Sequence, residues 1–214
     1  YFGIQLSPDG TRLLWHRSEC APGGYQLWLV DLATGAAQEV LNLGPTNNVA
    51  AVWLDDDRIG FVGDDQGRDR LGVLRLSSGA VDWLAEEPAL CPHSVLAGTG
   101  PAFVCIHHQD SNTRAVLVEG GTLRPLANHS GRRSLLPHAA LPDGGWLAEA
   151  YDANRPHDLV AVAADGSCRL IARAPGADGF PGIAPQDFRW TAPDGRPMQG
   201  WLYHPEGPAR GLIG

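Results

Sequence analysis

Four short runs of branched and apolar residues in this chain end in tight turns, and the glycines that close those turns recur every 42 to 45 residues. The run Leu27 to Leu32 leads into Ala33-Thr34-Gly35, and Leu71 to Leu76 leads into Ser77-Ser78-Gly79. Ala115 to Val118 then leads to Gly120-Gly121, and Leu159 to Ala163 to Ala164-Asp165-Gly166. A second set interleaves with these: Ser7-Pro8-Asp9-Gly10, Asp55-Asp56-Asp57, Gly98-Thr99-Gly100 and Pro142-Asp143-Gly144, each ahead of another apolar run. Asp-Gly and Ser-Gly between β-rich runs are hairpin signals, because such turns need a positive φ that glycine adopts without strain. Each unit therefore reads as strand, tight turn, strand, loop, strand, tight turn, strand.

A four-stranded antiparallel unit of about 40–45 residues is the period of a β-propeller blade. Four blades fit, at 2–44, 45–86, 87–128 and 129–177, making the chain all-β; an irregular β-sandwich would supply no reason for the period. Val, Leu and Trp fall on both pleat faces of the runs, as sheets packed against neighbours on each side require. Trp15, Trp28, Trp53, Trp83 and Trp146 occupy strand positions, where packing between blades is the expected role. The 27 glycines and 17 prolines favour turns over long helices. The acidic turns read as hairpin chemistry and not as calcium loops, since no D-x-D-x-D-G spacing accompanies them.

With 16 basic residues, all arginine, against 24 acidic ones, the net charge of −8 opposes a nucleic-acid partner. The lack of lysine points to GC-rich bacterial coding rather than to function. No apolar run approaches the ~20 residues of a spanning helix, and no targeting segment is visible at Tyr1, so a membrane role is not expected. Cys20, Cys91, Cys105 and Cys168 form no CxxC pair, which argues against a metal cluster and for buried thiols in a reducing compartment. A cytoplasmic location is the expectation, with the periplasm left open. The eight histidines are scattered; His107 and His108 adjoin on a strand and point to opposite faces. No metal, cofactor or catalytic residue is assigned. Glu86-Glu87 and Arg132-Arg133 fall in loops between blades, where solvated charge outweighs ligand contact.

After Arg173 the repeat gives way to Ala174-Pro175-Gly176-Ala177-Asp178-Gly179-Phe180-Pro181-Gly182, with 178–186 reading as a linker. A new hairpin follows: Asp187-Phe188-Arg189-Trp190, a turn through Asp194-Gly195, then Met198-Gln199-Gly200-Trp201-Leu202-Tyr203-His204-Pro205, before Gly211-Leu212-Ile213-Gly214. This tail resembles the junction between propeller and α/β-hydrolase domain in the prolyl oligopeptidase family of serine peptidases, especially its acylaminoacyl-peptidase and dipeptidyl-peptidase branches. Phe188 to Thr191 with Asp194-Gly195 is similar to the family's first strand and turn there, and Gln199 to Tyr203 to the strand that follows. Asn154 to Leu159 resembles the segment preceding the family's last Asp-Gly turn.

The resemblance implies a propeller that gates short peptide substrates, with 187–214 opening a hydrolase domain. The remainder of that domain, with the serine, aspartate and histidine of the triad, is absent from these residues. No G-x-S-x-G elbow occurs in the sequence, so no activity is expected of these residues alone. The rival reading is a non-enzymatic, TolB-like propeller that binds a protein partner. Blades at the two ends of an arc would expose faces and edges, from which a homodimer or poor solubility follows. The 187–205 hairpin is expected to be loosely held or paired with a blade edge.

Overall fold

The computed structural model describes residues 4–18, 25–42, 50–64, 69–84, 92–98, 100–109, 112–128, 133–152, 155–176, 185–204 and 207. Cys20, Cys91, Glu86-Glu87, Arg132, most of the 178–186 linker and Gly211 to Gly214 lie outside the described residues. Four four-stranded antiparallel sheets, one per unit of the repeat, make up the body. Blade 1 consists of β1 (Ile4–Leu6), β2 (Arg12–Ser18), β3 (Tyr25–Asp31) and β4 (Ala37–Asn42), and blade 2 of β5 (Ala50–Trp53), β6 (Arg58–Asp64), β7 (Asp69–Arg75) and β8 (Ala80–Trp83). Blade 3 is built from β9 (Pro92–Ala97), β10 (Phe103–Gln109), β11 (Asn112–Glu119) and β12 (Thr122–Pro125). Blade 4 comprises β13 (Ser134–Ala140), β14 (Trp146–Asp152), β15 (Arg155–Val162) and β16 (Cys168–Ala172). Every sheet runs in sequence order, so each blade is a meander.

The turns work as their composition dictates. Gly10, Gly35, Gly79, Gly121, Gly144 and Gly166 all hold φ between 70° and 82°. The acidic side chains close the turns themselves: Asp31 Oδ1 accepts from the Thr34 amide at 2.8 Å, Asp143 Oδ1 from Gly145 at 3.0 Å and Asp165 Oδ1 from Ser167 at 2.9 Å. An Asp in this role satisfies backbone donors that the turn would otherwise leave unpaired. Asp9 does the same for Thr11 and also accepts from the Ser7 and Thr11 hydroxyls, which holds its carboxyl down at about 2.

The first turn of each blade also aligns the blades residue for residue. Its closing amide donates to the carbonyl of Arg12, Arg58, Ala102 or Gly145 in blades 1 to 4. Counting from there, the next position holds Leu13, Ile59, Phe103 and Trp146; two further on stand Trp15, Phe61, Cys105 and Ala148. Ile59, Phe61, Phe103, Cys105, Trp146 and Ala148 are buried against the preceding blade. The alternate positions, Leu14, Gly60 and Val104, turn toward the following blade. Leu14 joins the blade 1–2 core, Gly60 meets the Phe103 ring across the blade 2–3 boundary, and Val104 joins the blade 3–4 core. The period of two thus sends successive residues of one strand into two different interfaces.

Polar contacts knit the same boundaries. Gln5 Nε2 donates to the Ala51 carbonyl at 2.6 Å, and Arg12 donates to the Asp56 carbonyl while lying over the Trp53 ring. At the blade 3–4 boundary Asn128 donates to the Asp165 carbonyl at 2.6 Å, and its amide to Gly166 at 2.8 Å.

Two of the five blade tryptophans depart from the expected packing role. Trp53 and Trp146 are buried between blades and Trp83 stands edge-on to Phe61. Trp15 is 41% exposed, and Trp28 opposes it on the outer face of blade 1. Burial at a blade face is set by the neighbouring sheet, and for blade 1 that neighbour is not among the described residues. The tail forms a separate two-stranded sheet, β17 (Gln186–Thr191) with β18 (Pro197–Leu202), that is hydrogen-bonded to no described blade edge.

Candidate functional site

All the tight turns lie at one end of the blades, so the connections between second and third strands, and from blade to blade, leave from the other end. That end carries Arg17 on β2, Arg70 on β7, Arg114 on β11 and Arg133 just before β13, with Arg155 at the start of β15 and Arg173 after β16 also in blade 4. Arg17 and Arg70 lay their guanidiniums over Trp28 and Trp83 at 5.4 and 5.2 Å from the ring centroids. Arg114 Nη1 donates to the Arg133 carbonyl at 3.1 Å. Arg133 Nη2 in turn donates to the Ala150 carbonyl at 2.7 Å and to Asp158 Oδ2 at 3.1 Å, with Asp152 Oδ2 3.6 Å from Nε. Sequence reading treats Arg133 as loop charge in solvent. The fold makes it a half-buried tie between β13, β14 and β15, because the buried Asp158 carboxylate requires a cation.

Beside this tie runs a polar network across the blade 3–4 boundary. The Thr113 amide donates to Ser134 Oγ at 3.0 Å, and the Thr113 and Tyr151 hydroxyls share a hydrogen bond of the same length. The Tyr151 ring stacks on His157 at 4.1 Å. His157 Nδ1 lies 2.6 Å from Glu149 Oε2, and His138 Nε2 lies 3.4 Å from Oε1 of the same carboxylate. The hydrogen bond from His157 is the main cause that holds the Glu149 carboxyl below its ordinary value. One carboxylate is therefore bracketed by imidazoles from the two flanking strands, on the outer face of blade 4.

Two histidines are enclosed instead. His16 and His107 are 6% and 5% exposed, and His16 Nε2 and His107 Nδ1 have no hydrogen-bond partner. Burial pushes both below the usual histidine value. His108 is exposed while His107 is buried, the opposite-face arrangement expected of adjacent strand residues. Burial raises the Cys105 thiol to about 12, so it is protonated and inert near neutrality. Among the described residues no group of three His, Cys, Asp or Glu is arranged to hold a metal ion. What these residues do chemically is brace blades and present polar surface. Arg133 was legible only as a charge, and the His138–Glu149–His157 set not at all. The three lie on separate strands whose register is shifted by bulges after Pro137 and Ala150.

No protein-family model matches the chain, and no curated protein matches it. Solved structures do. A puromycin hydrolase overlays with a TM-score of 0.76 at 20% identity, covering 99% of this chain and 35% of that one. A Mycobacterium tuberculosis puromycin-hydrolyzing peptidase follows at 0.71 and 16% identity, over 97% of this chain and 36% of that one. The chain shares the fold of the matching part of these peptidases. The chain spans about a third of the length of these relatives. TolB from Acinetobacter baumannii also overlays, with a TM-score of 0.61 at 13% identity over 94% of this chain and 52% of that one. At such identities the likeness is one of fold.

Proposed function

We propose that these residues are the propeller portion of a serine-type peptidase of the prolyl oligopeptidase family, limiting access of short peptides to an active site on an α/β-hydrolase domain. The observation that carries this reading is the overlay on puromycin hydrolase, which takes in 99% of the chain and so extends past the blades into the β17–β18 hairpin. The hairpin supports it independently. It places Phe188, Trp190 and Met198 on one face, 39 to 48% exposed, and Asp187, Arg189 and Gln199 on the other, a pattern that calls for a further sheet against the apolar side. Dipeptidyl- or acylaminoacyl-peptidase specificity belongs to this proposal through the sequence resemblance alone. A cytoplasmic location fits the described thiols, Cys105 and Cys168, which are unpaired.

TolB supports the second reading, a propeller that binds a protein partner, with a lower TM-score and a smaller share of this chain. A fluorophosphonate probe applied to the native gene product separates the two. The peptidase reading requires a labelled polypeptide well above 22.8 kDa that cleaves short peptides and loses both properties together on serine modification. An unlabelled native product of 22.8 kDa would sink it and leave the binding propeller.

A further inference from the structure

Hydrogen bonds tie blade 1 to blade 2 and blade 3 to blade 4, and the positions that make them change character at the boundary between blades 2 and 3. From blade 1, Gln5 Nε2 donates to the Ala51 carbonyl and the Asp9 amide to Asp56 Oδ1, while Arg12 reaches the Asp56 carbonyl. From blade 3, Thr113 bonds to Ser134 and Tyr151, Arg114 donates to the Arg133 carbonyl, and Arg124 donates to the Ala164 carbonyl at 3.4 Å. In the shared alignment the place of Gln5 is held in blade 2 by Val52, which has no donor to offer. Arg12 gives way to Arg58, whose guanidinium is held at 2.6 and 2.7 Å by Asp55 of its own turn. The acceptor Asp56 corresponds in blade 3 to Gly100, which has no side chain. Arg114 corresponds in blade 2 to Arg70, laid over Trp83 of its own blade, and Arg124 to Asp82, 3.8 Å from Arg75 of its own blade.

At these positions the blade 2–3 boundary is therefore left to apolar packing, with Val52, Leu54 and Val62 on one side and Phe103, Cys105 and Val118 on the other. Apolar contact has no preferred direction, so it holds two sheets together without fixing one against the other. His107 shares the face of Phe103 and Cys105. It is 5% exposed and its Nδ1 has no hydrogen-bond partner, so separating the sheets hydrates a nitrogen that the closed form leaves unsatisfied.

We propose that the boundary between blades 2 and 3 is a seam that opens in the folded protein, with blades 1 and 2 moving as one body and blades 3 and 4 as another. The polar ties keep each pair in register, and the seam between the pairs yields first. Such opening parts two faces and leaves the hydrogen-bond ladder of every sheet intact, which separates it from unfolding. The inference rests on the contacts between blades and not on the peptidase reading, so either stands if the other fails.

Buried thiols can report on each boundary separately. Cys105 is fully buried in the blade 2–3 core, and Ala51 and Ala148, 2% and 0% exposed, lie in the blade 1–2 and blade 3–4 cores. Ala51→Cys and Ala148→Cys thus supply comparable reporters, since a buried cysteine packs as a small apolar residue. The measurement is iodoacetamide labelling of the folded full-length gene product, read peptide by peptide by mass spectrometry and normalised to the rate in strong urea. Cys105 should be labelled about tenfold faster than either engineered thiol, at a rate insensitive to low urea because opening exposes little surface. Gln5→Ala with Asp56→Ala removes ties of the blade 1–2 boundary and should raise labelling at position 51 toward that of Cys105. Three thiols labelled at one rate, Cys105 labelled slowest, or a rate at position 51 indifferent to the lost ties would each overturn the seam. If circular dichroism shows that an engineered thiol unfolds its blade, Cys105 decides alone: labelling that rises with urea as steeply as global unfolding overturns the seam, and a flat response supports it.

Discussion

His16 and His107 show what the interior of this fold tolerates at the scale of one residue. Equivalent positions in the other blades hold Val62, Ile106 and Glu149 for His16, and Arg17, Gly63 and Ala150 for His107, so neither imidazole is demanded by the architecture. Each carries a buried nitrogen without a partner, and burial lowers its pKa below the ordinary 6.5. The unfolded chain therefore takes up protons first as the pH falls. Stability is full above about 6.5 and declines below it, by about 1.4 kcal/mol per pH unit for each histidine while the folded form stays neutral. Urea unfolding at pH 7.5 and pH 5.5 should show this decline, and His16→Val with His107→Ala should flatten it. An unchanged slope in the double variant would refute the assignment. The turn aspartates act lower on the scale. Asp9, Asp31 and Asp165 are all held below 3.8, so their contribution is complete above that value and is lost as the pH drops toward 2.

At the scale of the strand, packing against a neighbour in the same sheet is as tight as packing between sheets. Gly72 on β7 faces Phe61 on β6, and a Cβ at Gly72 would fall 2.5 Å from the Phe61 ring, which is itself fully buried in the blade 1–2 core. Gly72→Ala should cost about 1–3 kcal/mol in urea unfolding, and pairing it with Phe61→Leu should recover part of that cost. Full additivity of the two would show that the ring is not the obstacle. Turn and strand positions were readable in the sequence because glycine φ and the period of two are local properties. The Asp-Gly turns, the meander order and the alternation of Val52 and Trp53 between two cores all follow from them. Contacts that depend on register were not readable. Glu149 meets His138 and His157 through bulges that no residue type announces, and the exposure of Trp15 reflects what lies beyond its own blade.

At the scale of the molecule, the blades form a one-dimensional stack in which each is stabilised by its neighbours. Among the described residues, blades 2 and 3 are covered on both faces, blades 1 and 4 on one, and the β17–β18 hairpin contributes to none of the three buried apolar clusters. Local stability should follow that order. Native-state amide exchange should find β6 and β10 slowest, β2 and β14 intermediate, and β17–β18 fastest, since an isolated two-stranded sheet is marginal in water. Trp146→Ala sharpens the test. Trp146 is 3% exposed at the centre of the blade 3–4 core, and its truncation should cost about 3–5 kcal/mol. Because interfaces in a stack are separable, the loss should fall on blade 4 and leave exchange in β6 nearly unchanged. Equal acceleration in β6 and β14 would mean that the four blades unfold as one unit, and the stack description would have to be abandoned.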